Sequence, residues 1–460
     1  MTIRPNGNLS GRVDLVVAAR SLVTMDANRR VLEDAGVAVS GSRIVDIDSR
    51  SELRERYPGA RWVDEPRGIV APGYIDAHQH LTGDRLVRSM IPDSLTAEQA
   101  IFQWAVPIHV AQRREDEQIA AALACVDAIR NGVTTIVEAG TVASWDAVAE
   151  SMIETGIRGT VATWGWDLPG APFSSTPEVA LDNLAAVLDA YPPSSGRVRG
   201  SVALVGHDLV SDELYRDAAS LARDRGALLT FHLSLAEAEV SSFERRSGKR
   251  PVLHLADLGV LGPGVLISHA LHLGEAELDA LLAHDTALAY CPWTYFRLAT
   301  GAVGSSRHLE FLGRGGRVAF GCDSENSGDL IDVLRTAAVA CGIERDRAAA
   351  PGAFDSARAL EVATIGGARA IGRGEDIGSI EIGKRADLVV HRPDRHPIAG
   401  DPVLELIWGT DGRSVVHVVI DGLVVVDDGR VTTVDVPDLV RRAERARTDL
   451  LGRAGIRSAR

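Results

Sequence analysis

Eight short runs rich in Val, Ile and Ala recur along the middle of the chain, at 69–79, 132–139, 158–164, 198–206, 227–233, 264–271, 286–292 and 317–323. Apolar runs of this length, bounded by turn residues, read as strands buried on both faces. Between them lie amphipathic spans rich in Ala and Glu, among them 113–131, 144–156, 177–190, 212–225 and 275–284, each long enough to be a crossover helix. Strands that alternate with helices in this way are parallel βα units, and eight of them predict an α/β fold closed as a (β/α)8 TIM barrel. The ends of the chain have a different texture. Residues 11–68 carry short strand-like runs separated by turns (VDLVVAARSLVT, VLEDAGVAVSGSRIVDI), and 378–432 repeat that pattern in GSIEIGKRADLVVHR and VVHVVIDGLVVVDDGR. The two flanking pieces are expected to pair with each other outside the barrel. The divisions expected are thus 1–68 and 378–432 for a small β-sandwich, 69–377 for the barrel, and 433–460 for a C-terminal helix or tail.

With 460 residues and 45% hydrophobic content, the chain can bury one large domain and a small one. Its 49 Lys+Arg against 63 Asp+Glu leave a formal charge of −14, and no basic cluster goes beyond short groups such as Arg441-Arg442. A polyanionic partner, nucleic acid or membrane surface, is therefore not expected. The N-terminal MTIRPNGNLSGRVDLVV lacks an apolar core followed by a small-residue cleavage site, and no apolar run approaches the roughly 18 residues of a membrane span. A cytoplasmic location is the default expectation. The four cysteines, Cys125, Cys291, Cys322 and Cys341, are scattered without CxxC spacing, which points to neither a disulfide framework nor a structural zinc knuckle.

The stretch IVAPGYIDAHQHL, residues 69–81, ends in two histidines with one residue between them. At positions i and i+2 of a strand, His78 and His80 face the same side and aim together at the barrel mouth. His232 ends the fifth expected strand (LLTFHLS), His269 lies near the end of the sixth (VLISHALHL), and Asp323 ends the eighth (VAFGCDS). Barrel enzymes carry their chemistry at the C-terminal ends of the strands. A single histidine there is ordinarily a satisfied, partly buried side chain. Five ligand-type residues converging from four strand ends point instead to one divalent ion, Zn²⁺ in the first place and Fe²⁺ or Mn²⁺ otherwise.

PGYIDAHQH, FHLS, SHALHL and FGCD, in that order and at those strand ends, resemble the amidohydrolase superfamily, and within it the branch of cytosine, guanine and adenosine-derivative deaminases and triazine hydrolases. Linking text adds to the likeness: GVTTIVEAG, EV…GKRPV, YCP…G and IGSIEIGKRADLVV. The resemblance spans nearly the whole chain. It implies a distorted (β/α)8 barrel with an attached β-sandwich, His78, His80, His232, His269 and Asp323 as the metal-site pattern, and a homo-oligomer, dimer or larger. It also implies a small-molecule substrate. Binuclear members resemble one another in using a bridging carboxylate, often a carboxylated lysine ending the fourth strand. Here the only lysines are Lys249 and Lys384, neither at a strand end, so a single ion is expected. Such an ion lowers the pKa of a bound water from nearly 16 towards about 7. Asp323 is placed to accept that proton and return it to the leaving group.

The chain departs from the branch at one position. Three residues after the fifth-strand histidine, where deaminases of this kind typically carry a proton-shuttling glutamate, it has Leu235; Glu239-Val240 and Gly248-Lys249-Arg250-Pro251 match beyond it without a gap. Glu138, ending the second strand, and Glu325, just past Asp323, are candidate replacement acids, although each is more simply structural. His272 resembles a second histidine that the branch often carries after the sixth strand, and it joins Asp323 and His269 in the expected catalytic set, with simple packing as the equal alternative. His207, after the fourth strand, and Leu235 are expected to meet substrate. So are Trp164, Trp293 and Tyr295, which with Trp166 and Phe296 surround the mouth with aromatics suited to a flat or apolar ligand. Arg85 and Arg88 offer anion contacts but are more simply exposed arginines, and Cys322 is expected to be a small core residue.

The expected function is metal-dependent hydrolysis of a C–N or similar bond in a small heterocyclic or aromatic molecule. A cyclic or linear amide hydrolase, for which Leu235 is no handicap, is the alternative. A non-catalytic metal-binding scaffold is the second alternative.

Overall fold

The computed structural model describes residues 12–169, 172–324, 329–393 and 400–456. Among them, seventeen strands fall into three sheets. Strands β1 to β4 (Leu15–Val23, Val31–Ser40, Arg43–Ser49 and Arg61–Pro72) come first. Nine short strands follow, β5 to β13 (Tyr74–Gln79, Val133–Glu138, Arg158–Val161, Val198–Gly200, Val202–Leu204, Leu229–Leu233, Val265–His269, Ala287–Tyr290 and Val318–Phe320). Strands β14 to β17 (Leu388–His391, Val415–Ile420, Leu423–Asp427 and Arg430–Val431) complete the set.

The nine middle strands form two all-parallel arcs, β5-β6-β7-β8 and β9-β10-β11-β12-β13. The fourth expected strand, 198–206, is divided at Ser201. Its N–H still bonds back to Val161 O of β7 (3.0 Å), whereas the next residue, Val202, donates to Leu228 O just before β10 (2.9 Å). The chain changes neighbour within one residue, and so β8 edges one arc and β9 the other. At the opposite seam Asp323 N–H donates to His78 O (2.8 Å), and Cys322 N–H donates to the buried Asp76 carboxylate (2.9 Å). The ring of eight expected from the sequence is thus found as two arcs of the TIM-barrel type.

The first expected strand, 69–79, is in fact two. Residues 69–72 belong to β4, and the chain bends at Gly73 before β5 begins. Gly73 has no substitute there, because a Cβ would stand 2.0 Å from Thr134 Oγ1. β4 carries the terminal segments' union: it runs parallel to β1 and antiparallel to β14 in one sheet ordered β17-β16-β15-β14-β4-β1-β2-β3. The expected sandwich is therefore one continuous sheet of eight strands. Val17, Val37, Ile44, Val70, Leu388 and Val419, from both ends of the chain, pack into a core of its own.

The crossover helices end where local chemistry ends them. Thr176 caps the helix Pro177–Ala190 by accepting Val179 N–H, with Pro177 at its first position. Ser211 caps Asp212–Arg225, whose acidic first turn and basic last turn complement the helix dipole before Gly226 stops it at a φ of 61°. The helix Val436–Ala454 buries Leu439, Leu450 and Leu451 against Leu86, Ile108 and Ile119. A helical segment over residues 97–111, not expected from the sequence, crosses one end of the barrel. Among the described residues, no helix is long and apolar enough to cross a membrane.

Arg158, at the start of β7 and fully buried, ties the barrel to the terminal sheet. It donates from Nε and Nη2 to both oxygens of Asp387 (2.7 and 2.9 Å) and from Nη2 to Asp421 (3.0 Å). A buried guanidinium stripped of its carboxylate is left charged in a low-dielectric site. Asp387→Ala is therefore expected to cost about 3–5 kcal/mol, read as a lower urea midpoint at unchanged pH. A loss below about 1 kcal/mol, the range of exposed ion pairs, would remove this role.

Candidate metal centre and its cavity

Four imidazoles and one carboxylate meet at the C-terminal ends of the strands. Ligand atoms of His78, His232 and His269, and again of His78, His80 and Asp323, lie within 4.8 Å of one another. The Nε2 atoms of His80 and His232 are 3.3 Å apart, and Asp323 Oδ1 is 3.3 Å from His80 Nε2 and 3.5 Å from His78 Nε2. The sequence-based ligand set is thus brought together from β5, the end of β10, the end of β11 and the residues after β13.

The outward nitrogens fix how the rings face. His232 Nδ1–H donates to Val205 O (2.9 Å), which leaves its Nε2 lone pair turned to the cluster. His78 Nδ1 bonds Ser268 Oγ (2.8 Å) and His80 Nδ1 bonds Thr141 Oγ1 (2.6 Å), so these rings too present Nε2 inward. Tyr295 OH lies 3.5 Å from His269 Nδ1. Such partners hold ligands in orientation and tautomer. The backbone contributes as well: His269 (φ 72°) and Asp323 (φ 64°) both adopt the left-handed region, which costs a non-glycine residue on the order of 1–3 kcal/mol and is found where side chains are aimed for a purpose. Gly206 lets the chain after β9 pass over His232, because a Cβ there would meet His232 O at 1.8 Å.

The electrostatics differ from ring to ring: burial works against a charge on His80, yet Asp323 beside it shifts that ring upward, whereas the other three are shifted down. Burial, reinforced for His232 by the neighbouring imidazoles, pushes His232 and His269 well below the usual imidazole range. Burial works against the Asp323 carboxylate, yet His78 and His80 beside it hold it well below its ordinary range. His78 Nε2 is buried with no hydrogen-bond partner. Nitrogens bound at 2.0–2.1 Å in a tetrahedral site stand about 3.3 Å from one another, which is the spacing of the His80 and His232 nitrogens. A buried ring nitrogen without a hydrogen-bond partner, three imidazoles held below their usual range and a carboxylate held ionised, all at ligand spacing, fit a divalent ion.

A cavity of about 400 Å³ opens on this cluster, with His80, His232, His269 and Asp323 in its wall. His207, Leu235, Trp164 and Trp166 line it as expected. Trp164 stacks on Phe173 at 4.4 Å with the rings 5° from parallel. His207 Nδ1 lies 3.3 Å from Glu239 Oε2, and Glu239 accepts the N–H groups of Ser234 and Leu235 (2.8 and 3.1 Å). The wall also includes Ile101, Phe102, Val106 and His109 from segment 97–111, which the sequence did not place near the site. Asp84 and Glu239 were likewise missed, as were Thr141 and Ser268 behind the histidines; no spacing rule singles out hydroxyls that become neighbours only in the fold.

Other expected residues stand elsewhere. Trp293, Tyr295 and Phe296 lie on a helix, Pro292–Arg297, and do not line the cavity: Trp293 packs under Arg335, Tyr295 is buried behind His269, and Phe296 is half exposed. His272 turns away, its Nδ1 3.1 Å from Glu237 Oε2 in a separate polar groove. Glu138 is buried off the cavity, accepting Gly140 and Thr141 N–H (2.8 and 3.2 Å), with its carboxyl pushed up to about 7 by burial. Glu325 lies outside the described residues. Arg85 is buried against Asp127 rather than exposed, while Arg88 is the solvent-facing partner. Cys322 is a buried core residue, and all four cysteines are free thiols.

The comparisons with known proteins agree with this architecture. The family model for the Amidohydrolase family matches residues 69–425, and one for the bacterial imidazolonepropionase-like composite domain matches 35–60. A 5-methylthioadenosine/S-adenosylhomocysteine deaminase from Syntrophobacter fumaroxidans is 28% identical over 436 residues, covering 94% of this chain and 97% of that protein. An adenosine deaminase from Xanthomonas campestris with bound zinc superposes with a TM-score of 0.89 at 26% identity, covering 96% and 99% of the two chains. An atrazine chlorohydrolase from Arthrobacter aurescens TC1 complexed with zinc has the same fold (TM-score 0.85, 22% identity, coverage 94% and 100%).

Ser268→Ala removes the hydrogen bond that orients His78 without touching a ligand atom. It is expected to weaken zinc affinity about 10–100-fold, measured by competition with a chromogenic chelator, while the circular dichroism spectrum is unchanged. Unaltered affinity would show that the Ser268 contact does not hold His78 in place.

Proposed function

This chain belongs to the amidohydrolase family and is a hydrolase of carbon–nitrogen bonds other than peptide bonds, and from that premise we propose that it removes an amine or similar leaving group from a small, uncharged heteroaromatic substrate related to adenosine-like nucleosides or aminated azines. The reading rests on one observation above all. Four imidazoles and an ionised carboxylate stand at ligand spacing on the wall of a cavity whose other walls are mostly apolar and aromatic.

In this reading His78, His80, His232, His269 and Asp323 hold one divalent ion, zinc in the first place. Such an ion, when bound, supplies Lewis acidity that makes hydroxide available near neutral pH. Trp164, stacked on Phe173, and Leu235 take the faces of a flat ring. His207 is held by Glu239 through Nδ1, leaving Nε2 for a polar atom of the substrate. Of the wall's acidic groups, Glu239 is committed to two backbone N–H groups, Asp84 faces His109 (2.9 Å) and Glu98 is exposed. Asp323 is the carboxylate beside the imidazole cluster, and it takes the proton from the attacking water and returns it to the leaving nitrogen.

Leu235 cannot carry a proton to a ring nitrogen, and this favours a second reading, hydrolysis of a cyclic or linear amide, where no ring protonation is needed. Zinc-loaded protein assayed on adenosine-like nucleosides, aminotriazines and lactams separates the two. Ammonia released in step with product is expected. Carboxylate formed from a lactam without ammonia supports the second reading, and inertness towards all three classes contradicts both.

Leu235→Glu places an unpaired carboxylate among apolar groups, a cost of a few kcal/mol. The native kcat/KM is expected to fall at least about tenfold with metal content unchanged. A rise in native turnover would mean that the leucine is not adapted to its substrate.

A further inference from the structure

A second cavity, of about 160 Å³, lies at the opposite end of the barrel strands from the imidazole cluster. Its polar side chains are Thr135, Thr160, Arg199 and Arg373, and among the described residues no carboxylate contributes to it. The charges around it do not balance. Asp387, Asp421 and Asp376 are shared among Arg158, Arg385, Arg373 and Arg43. Arg199 adds a fifth guanidinium; its Nε donates to Gly196 O (3.2 Å), and it has no carboxylate partner among the described residues. Five cations against three anions leave a positive surplus beside a partly enclosed space, which is costly unless something negative joins them.

The donors are also unsatisfied. Thr135 Oγ1, Thr160 Oγ1 and Arg373 Nε are buried with no hydrogen-bond partner in the protein, and Thr135 as a whole is 2% exposed. Water could satisfy the two hydroxyls but would leave the surplus charge. A tetrahedral oxyanion offers several acceptors at once, matches the guanidinium fork, and fits a space equal to roughly five waters of liquid volume. We propose that this cavity is a binding site for one small tetrahedral oxyanion, phosphate or sulfate, held between Arg199 and Arg373 with hydrogen bonds from Thr135 and Thr160. Burial, and then the neighbouring Arg373, push Arg199 down to about 10, so that it remains cationic at neutral pH. Because Arg373 shares Asp376 with Arg43 of β3, a bound anion would add to the charge network between the base of the barrel and the terminal sheet and stabilise the fold as the logarithm of its concentration above Kd.

The site is tested on the whole protein with inorganic phosphate as the probe. Isothermal titration, together with thermal melts in phosphate and in chloride at equal ionic strength, should show one-site binding that saturates and a melting temperature that rises with the logarithm of phosphate once its concentration exceeds Kd. Arg199→Gln orphans no carboxylate; it should melt normally in chloride and lose at least tenfold in phosphate affinity. Thr135→Val, which keeps the shape and removes one donor, should weaken binding less and serves as the second variant should Arg199→Gln fold poorly. A rise that is linear in phosphate and equal in the wild type and the variants would be general salting and would overturn the proposal, as would the absence of both binding heat and a logarithmic, variant-sensitive shift.

Discussion

Two imidazole nitrogens turned inward sit 3.3 Å apart in a buried site, with two further imidazoles and a carboxylate held ionised alongside. A cation among them satisfies all of these groups at once. The rest of the protein enforces the arrangement. Four parallel strands, β5, β10, β11 and β13, deliver the ligands, Val205, Thr141 and Ser268 hold the rings from behind, and left-handed backbone at His269 and Asp323 aims the remaining two. That buried imidazoles and a carboxylate from four strands are brought to ligand spacing here, two of them on left-handed backbone, is why the chemistry is assigned there.

The cluster needs a rigid floor, and the terminal sheet supplies it. β4 runs directly into β5 through Gly73, so the strand that pairs the two chain ends is continuous with the one that carries His78. Arg158 fastens β7 to the same sheet through Asp387 and Asp421. The barrel is thus anchored on the sheet at its base and open at its C-terminal face, where segment 97–111 and the Trp164–Phe173 stack narrow the entrance to a mostly apolar cavity.

Much of this was legible in the sequence, for definite reasons. The period-2 geometry of a strand puts His78 and His80 on one face, and the ends of apolar runs mark His232, His269 and Asp323; neither inference needs long-range information. The reading fails where local periodicity changes or contacts are remote. Pro292 starts a helix directly after β12, so Trp293, Tyr295 and Phe296 fan out around a helix and miss the cavity. His272 follows two left-handed residues, His269 and Ala270, that turn the chain away, so its spacing from His269 no longer predicts its direction. The join at 69–79 looked like one strand because IVAP and YIDA are equally apolar; the need for glycine at 73 comes from Thr134, sixty-one residues away. Segment 97–111 could be read as helical, but nothing local says that it covers the site.

The central claim is that these side chains surround one cation. Crystals of protein purified without chelators, measured at the zinc absorption edge, test it directly. The account predicts a single anomalous peak among the inward ring nitrogens of His78, His80, His232 and His269 and the Asp323 carboxylate. Two peaks in the site, or none in zinc-supplemented crystals with those side chains ordered, would contradict it.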